Sequence, residues 1–188
     1  MIDVIADRVS VREFSTPSAT QLGCVLARSG LSRSHGIDAT GTPISRRAAP
    51  SAGARHPFEL VLAAHDVEGL DAGLWVLDPD AAVLRASEVT ASEVAEALDA
   101  IAQAMSVRRR PPAAIFVVAD PTLTLSRYPN GISLLWREAG ALLMLIHLTA
   151  TDLGLGSCIV GTTGALCADS AELRTPVDLG AVALGGRC

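Results

Sequence analysis

Three segments carry residue types whose spacing supports chemistry. The first, Arg8-Val-Ser-Val-Arg12, alternates two guanidinium forks with a hydroxyl, so that in an extended chain Arg8, Ser10 and Arg12 share one side. Such an edge clamps a phosphate or a carboxylate, and it equally suits a solvated strand with scattered charge. The second, Pro50-Ser-Ala-Gly-Ala54, lies between Arg46-Arg47 and Arg55-His56-Pro57. Its small residues let a flat ligand approach the backbone, with Ser51 and the amides as donors. An ordinary Pro/Gly/Ser turn has the same composition. The third is Gly154-Leu-Gly-Ser-Cys-Ile-Val-Gly161. An apolar helix precedes it, so it is not the strand-to-helix glycine fingerprint of nucleotide folds. It reads either as a glycine-flanked strand facing a ligand or as a plain helix-terminating loop.

The elements that must position these segments follow from periodicity. Ser18 and Gln21 form a capping box before a helix over 19–28 that stops at Gly30. Residues 31–56 read as one long loop, more often functional than idle at that length. FELVLAA (58–64) and GLWVL (73–77) read as strands, and the Asp78-Pro-Asp80 turn leads into a hairpin partner at 82–86. Thr90 and Glu93 cap a helix whose Val94, Ala97, Leu98, Ile101 and Met105 keep helical spacing. Pro111-Pro112 then precedes AAIFVVA (113–119), a strand buried on both faces. After a loop at 120–131, residues 133–153 form a helix apolar nearly all round, central to a core or a subunit interface. A short strand at 157–160, a short helix at 168–174 and a closing strand at 179–184 complete an α+β order too irregular for a doubly wound sheet.

Composition removes several classes of function. A chain of 188 residues, 49% hydrophobic and 19% charged, suits one domain spanning 1–188 and excludes disorder. The formal net charge of −5 argues against nucleic-acid binding. All 15 basic residues are Arg, which excludes Schiff-base chemistry on lysine. The cysteines Cys24, Cys158, Cys167 and Cys188 form no C-x-x-C pair, and no His/Cys/Asp/Glu set has metal-ligand spacing, so neither a disulfide framework nor a metal site is expected. The N-terminus lacks a basic region followed by an apolar run, and the apolar stretch 134–153 carries Arg137, Glu138, His147 and Asp152. The expectation is a soluble cytoplasmic protein without a membrane partner. Arg108-Arg-Arg110 suits the C-terminal end of the preceding helix, His147 a hydrogen-bonded core or interface position, and Cys158 a packed position. Trp136 fits packing at the start of the long helix, and Glu138 compensation of its N-terminal dipole.

Taken in order, Arg-x-Ser-x-Arg, PSAGARHPFEL, GLWVLDPDAAVLR, Ser126-Arg127-Tyr128 with WREAG close behind, DLGLGSCIVG and the closing Gly-Gly-Arg187 resemble the nitroreductase-like flavoprotein superfamily. Within it the likeness is nearest to the SagB-type dehydrogenases, which oxidise thiazolines and oxazolines in ribosomal peptides. It covers roughly residues 7–187.

The resemblance implies a nitroreductase-like α+β fold, with a mixed or antiparallel sheet flanked by helices and the long helix at a dimer interface. It implies an FMN site shared across a homodimer. Arg8, Ser10 and Arg12 match the segment that holds the phosphate, ribityl chain and pyrimidine edge. Pro50, Ser51, Ala52 and Gly53 match a loop that usually comes from the other subunit. Val160 and Gly161 match the pair whose backbone N–H approaches flavin N5, and Arg187 matches a further phosphate ligand. Arg127-Tyr128 stands where azoline dehydrogenases carry a proton-abstracting Lys-Tyr pair. Arginine is a poor base, so Arg127 would orient the substrate or favour charge on Tyr128. The Asn that follows the Pro-Ser segment in ordinary nitroreductases is absent, as is the C-terminal arm of many relatives. The expected activity is two-electron dehydrogenation of a peptide azoline or related small-molecule intermediate, in a homodimer or a larger biosynthetic complex. The alternatives are an NAD(P)H-dependent flavin or nitro reductase and a flavin-free scaffold subunit.

Overall fold

Apolar strands that bury both faces organise the molecule, whose computed structural model describes residues 2–161 and 176–188. In chain order the elements are α1 (Ile2–Asp7), β1 (Phe14–Ser15), α2 (Ala19–Gly30), β2 (Ser34–Ile37), β3 (Pro43–Arg46), a 3-10 turn (Ala52–Ala54), β4 (Phe58–Ala64) and β5 (Gly73–Asp78). They continue with β6 (Val83–Ala86), α3 (Ala91–Ala104), β7 (Ala113–Ala119), α4 (Pro121–Leu125), α5 (Ile132–Asp152), β8 (Leu155–Val160) and β9 (Val177–Arg187). The short helix expected at 168–174 falls outside the described residues.

The main sheet runs β1-β9-β7-β4-β5-β6, with β8 also on β9, and every pairing is antiparallel. Gly186 pairs with Ser15 on one side of β9 and with Leu155 on the other. The N-terminal segment and the glycine-rich strand therefore meet at the end of the last strand. Alternation along β7 divides the core in two. Ile115 and Val117 pack with Leu22, Leu26, Leu142 and Ile146 from α2 and α5, whereas Ala114, Phe116 and Val118 pack with Val94, Leu98 and Ile101 from α3. This is the helix-flanked α+β architecture expected from the sequence.

Both capping boxes form, on Ser18/Gln21 and on Thr90/Glu93. Two expected loops are corrected. Residues 34–46 form the β2–β3 hairpin, and 121–125 form α4, started by Pro121 and by the Asp120 carboxylate accepting the Thr122 amide at 2.9 Å. The hairpin gives no buried alternation because every residue of β2 is exposed. The long helix α5 is long and apolar enough to cross a membrane; here Leu135, Leu142 and Ile146 pack it on the sheet while Trp136, Gly140 and Met144 stay exposed. Trp136, expected to pack, is 49% exposed.

Candidate functional site

The Pro50–Gly53 loop is drawn into a left-handed course that few sequences tolerate. Gly53 has φ of 62°, and the following Ala54 and His56 have φ of 53° and 45°. Two side-chain bonds hold this shape: the His56 amide donates to Ser51 Oγ at 2.9 Å, and the Ala52 amide donates to Glu138 Oε1 at 2.7 Å. Only glycine takes the left-handed region at no steric cost, and at Gly53 the missing side chain also makes room. A methyl group there would lie 3.1 Å from the Tyr128 hydroxyl and 3.7 Å from Arg127 Cδ. The loop and Arg127-Tyr128, distant in sequence, thus form one surface.

Tyr128 is set by its own backbone. Its amide donates to Thr124 O at 2.9 Å, and its carbonyl accepts the Gly131 amide at 2.7 Å. A side chain at Gly131 would press to 2.7 Å from that carbonyl, so this glycine is required by close approach. The Arg127 guanidinium lies 5.9 Å from the Tyr128 ring centroid, a weak cation–π contact.

Asp38, at the turn of the β2–β3 hairpin, links the loop to Arg127. Its Oδ2 is 3.3 Å from Arg55 Nη2 and 3.6 Å from Arg127 Nη1. Its Oδ1 accepts from the Thr40 hydroxyl at 2.6 Å and from the Thr40 and Thr42 amides at 2.8 and 3.0 Å. The Thr40 hydroxyl above all, then the Thr42 amide, hold the carboxyl down at about 2, with Arg127 adding to the effect. His56 is shifted below the ordinary imidazole range by burial and by the charge of Arg47.

A second cluster forms where the N-terminal segment crosses α5 and β8. Arg8 Nη1 donates to His147 Nε2 at 3.2 Å, so the opposite ring nitrogen carries the proton and donates to Ser157 Oγ at 2.6 Å. Burial, then Arg8, depress the His147 pKa. The Val11 amide donates to Ser157 O at 2.9 Å, laying the N-terminal segment across β8. Arg187 Nη2 reaches the Asp7 carbonyl at 3.5 Å, which brings the end of β9 to the residue before Arg8. Ser10 is exposed on the same segment. Arg12 is placed differently, in a cleft of about 1140 Å³ that also includes Asp66, Asp99 and Arg108. Val160 is buried in β8, and the exposed Gly161 has open space where a side chain would stand.

Three residues that matter to these clusters were not nominated as site residues. Glu138, expected to serve the helix dipole, instead turns inward to the Pro50–Gly53 loop. Its signal was its place on the apolar stripe of α5, three residues after Leu135 and four before Leu142. Asp38 was marked by Asp-x-Thr-Gly-Thr, a side-chain-capped turn. His147 sits as a hydrogen-bonded buried histidine, yet its two partners are set by tertiary structure. Cys158 is packed in β8 with its thiol free.

Comparison with known proteins agrees with this architecture. The chain is 28% identical over 164 residues to a protein of Methanocaldococcus jannaschii provisionally named a nitroreductase, covering 85% of this chain and 77% of that one. Its fold superposes on a chain of the Escherichia coli microcin synthetase McbBCD complex, solved with truncated pro-MccB17 bound, with a TM-score of 0.71. That match has 18% identity and covers 95% of this chain and 67% of the other. A nitroreductase-type protein of Desulfovibrio desulfuricans in complex with FMN matches at a TM-score of 0.60 and 17% identity, covering 100% of this chain and 88% of that one. Residues 5–168 match the nitroreductase family, and the chain belongs to that family.

Proposed function

We propose that the protein is an FMN-dependent oxidoreductase that works as a homodimer and dehydrogenates a peptide azoline or a related natural-product intermediate. The observation that carries this reading is the placement of the Tyr128 hydroxyl over Gly53 of the Pro50–Gly53 loop. A tyrosine whose backbone is pinned at both amide and carbonyl, with a cation at its ring, is suited to receive a proton from a substrate lying on the loop.

The residues present fit a flavin mononucleotide. Arg187 reaches the carbonyl of Asp7, the residue before Arg8, so two stretches that each carry a guanidinium suited to a phosphate meet there, with the Ser10 hydroxyl exposed two residues beyond Arg8. Arg8, Ser10 and Arg187 would hold the phosphate and ribityl tail. Val160, Gly161 and the Pro50–Gly53 loop would border the ring, Gly161 leaving its backbone open to close approach. Bound FMN supplies a two-electron acceptor for the substrate hydride. Tyr128, entering as the phenolate, would take the accompanying proton and become the neutral phenol, and Arg127, tied to Asp38, would orient the substrate.

Two features support a second copy. The loop cluster and the arginine cluster attach to α5 through Glu138 and His147, nine residues and about 14 Å apart along the axis and about half a turn round it. One subunit therefore presents its two half-sites on different flanks of one helix. Trp136 and Met144, two turns apart, remain 49% and 41% exposed on α5, with Gly140 between them. An apolar stripe of this kind suits packing against a partner. A biosynthetic complex and a cytoplasmic location accord with the same reading, as does a chain of the microcin synthetase sharing this fold.

The test is the absorption spectrum of the purified protein, with FMN titration, followed by anaerobic turnover of an azoline peptide. Flavin binding that weakens at least tenfold in Arg8→Gln, with a dehydrogenation lost in Tyr128→Phe, supports the reading. Bleaching by NAD(P)H with no azoline oxidation identifies a reductase instead, and absence of flavin uptake identifies a scaffold.

A further inference from the structure

Glu138 is 8% exposed, and the described residues satisfy only one of its two oxygens. Oε1 accepts the Ala52 amide, while Oε2 is buried without a partner. Glu138 also borders a cavity of about 20 Å³ together with Ser29, Arg47, His56 and Pro50. Ser29 Oγ and Arg47 Nε are likewise buried and unpartnered. Glu138, Ser29 and Arg47 all line this cavity, and their unpartnered atoms form a complementary set of one acceptor, one group that both donates and accepts, and one donor. A single water needs about 10–15 Å³ and two to four such partners, and this cavity supplies both.

We propose that Glu138, joined to Ser29 and Arg47 through one buried water, is the positioning residue that fixes the Pro50–Gly53 backbone beneath the Tyr128 phenol. The chain of contacts is short. Glu138 holds the Ala52 amide, Gly53 follows directly in its left-handed conformation, and the phenol packs over Gly53. Without that acceptor the Ala52 amide and the cavity groups lose their geometry, and the loop relaxes away from Tyr128. The importance of the phenol for catalysis rests on the function proposed above; the placement of the loop does not.

Two substitutions separate positioning from mere packing. Glu138→Gln keeps an oxygen for Ala52 and offers an amide to the cavity, whereas Glu138→Leu keeps bulk and removes the acceptor. Hydrogen exchange at the Ala52 amide, in protein without substrate, is expected to quicken about tenfold or more in Glu138→Leu and to stay within about threefold in Glu138→Gln. Tyr128 is the only tyrosine, so tyrosine-selective NMR labelling reads its ring alone. Its ring resonances are expected to move in Glu138→Leu and to be restored in Glu138→Gln. With a genuine substrate, kcat falls in Glu138→Leu more than KM rises. Where Glu138→Leu fails to fold, Ser29→Ala gives the answer, because Ala52 exchange is then expected to quicken with the fold intact. Unchanged exchange in the variant that folds overturns the proposal, as does a high-resolution crystal structure with that cavity dry. Exchange and ring resonances need no turnover, so a failure of the azoline assay leaves this test standing and counts against the proposed substrate alone.

Discussion

The Tyr128 hydroxyl stands over Gly53, so close that a methyl group on that glycine would lie 3.1 Å from it. Two segments that the sequence keeps apart are thereby one surface, and the absence of a side chain at Gly53 is what allows it. This relationship makes the glycine a test of the site as well as of the backbone.

Gly53→Ala places a Cβ at φ of 62° and pushes the phenol aside. The left-handed conformation alone costs about 1–2 kcal/mol for an alanine, which lowers the melting temperature by roughly 2–8 °C at this chain size. Gly53→Asn tolerates the same φ better and is expected to recover much of that stability while still displacing Tyr128. Thermal melting and turnover, measured together, separate the two effects. Full turnover in Gly53→Asn would show that the phenol position is unimportant.

Ser157 accepts from the buried His147 ring at 2.6 Å. Ser157→Ala leaves that ring N–H unsatisfied beside β8, a loss of about 1–3 kcal/mol. Urea unfolding should report it as a lower midpoint with an unchanged slope. Flavin affinity is expected to weaken as well, because Arg8 donates to the opposite nitrogen of the same ring.

His147 gives the stability a definite pH dependence. Burial and Arg8 lower its folded pKa below the unfolded value near 6.5, so the unfolded chain binds the proton more readily. Its contribution is therefore complete above about pH 6.5 and declines as pH falls toward the folded value. His56, lowered by burial and Arg47, acts in the same sense. Melting temperatures between pH 7.5 and 5 should fall, and His147→Gln should flatten that slope. A slope identical in the variant would assign the effect elsewhere.

Asp38 acts in the same sense at more acid pH. Its carboxyl, held at about 2 by Thr40, Thr42 and Arg127, contributes stability above the ordinary carboxylate value, and this is lost as pH falls through about 2. Asp38→Asn removes the charge that Arg55 and Arg127 share. Limited proteolysis within residues 33–47 should become faster at neutral pH in that variant, while the wild type remains resistant until strongly acidic conditions. Equal cleavage at pH 7 would mean that the ion pairs do not hold the hairpin.

Much of the scaffold was legible in local pattern. The Ser18/Gln21 and Thr90/Glu93 boxes, the apolar runs 58–64 and 113–119 and the helical stripe of Val94, Leu98 and Ile101 each carry a signal within one element. The polar hairpin at 34–46 escaped because β2 is exposed throughout and no residue of β3 is fully buried, and α4 because five residues give too short a period. The Arg8, Tyr128 and Pro50–Gly53 motifs were visible as residue types.

The amino-acid order alone determined which segments could bind and react, because guanidinium spacing, glycine placement and a lone tyrosine are properties of the chain. Only the tertiary structure decided which of them meet. It brought Tyr128 to Gly53, Glu138 to Ala52 and Arg8 to His147, and set Arg12 in a separate cleft. The physical reason is that these contacts span between 75 and 139 residues of chain, and are set by the antiparallel register of β8 and β9 and by the packing of α5. No local periodicity encodes a distance across a sheet.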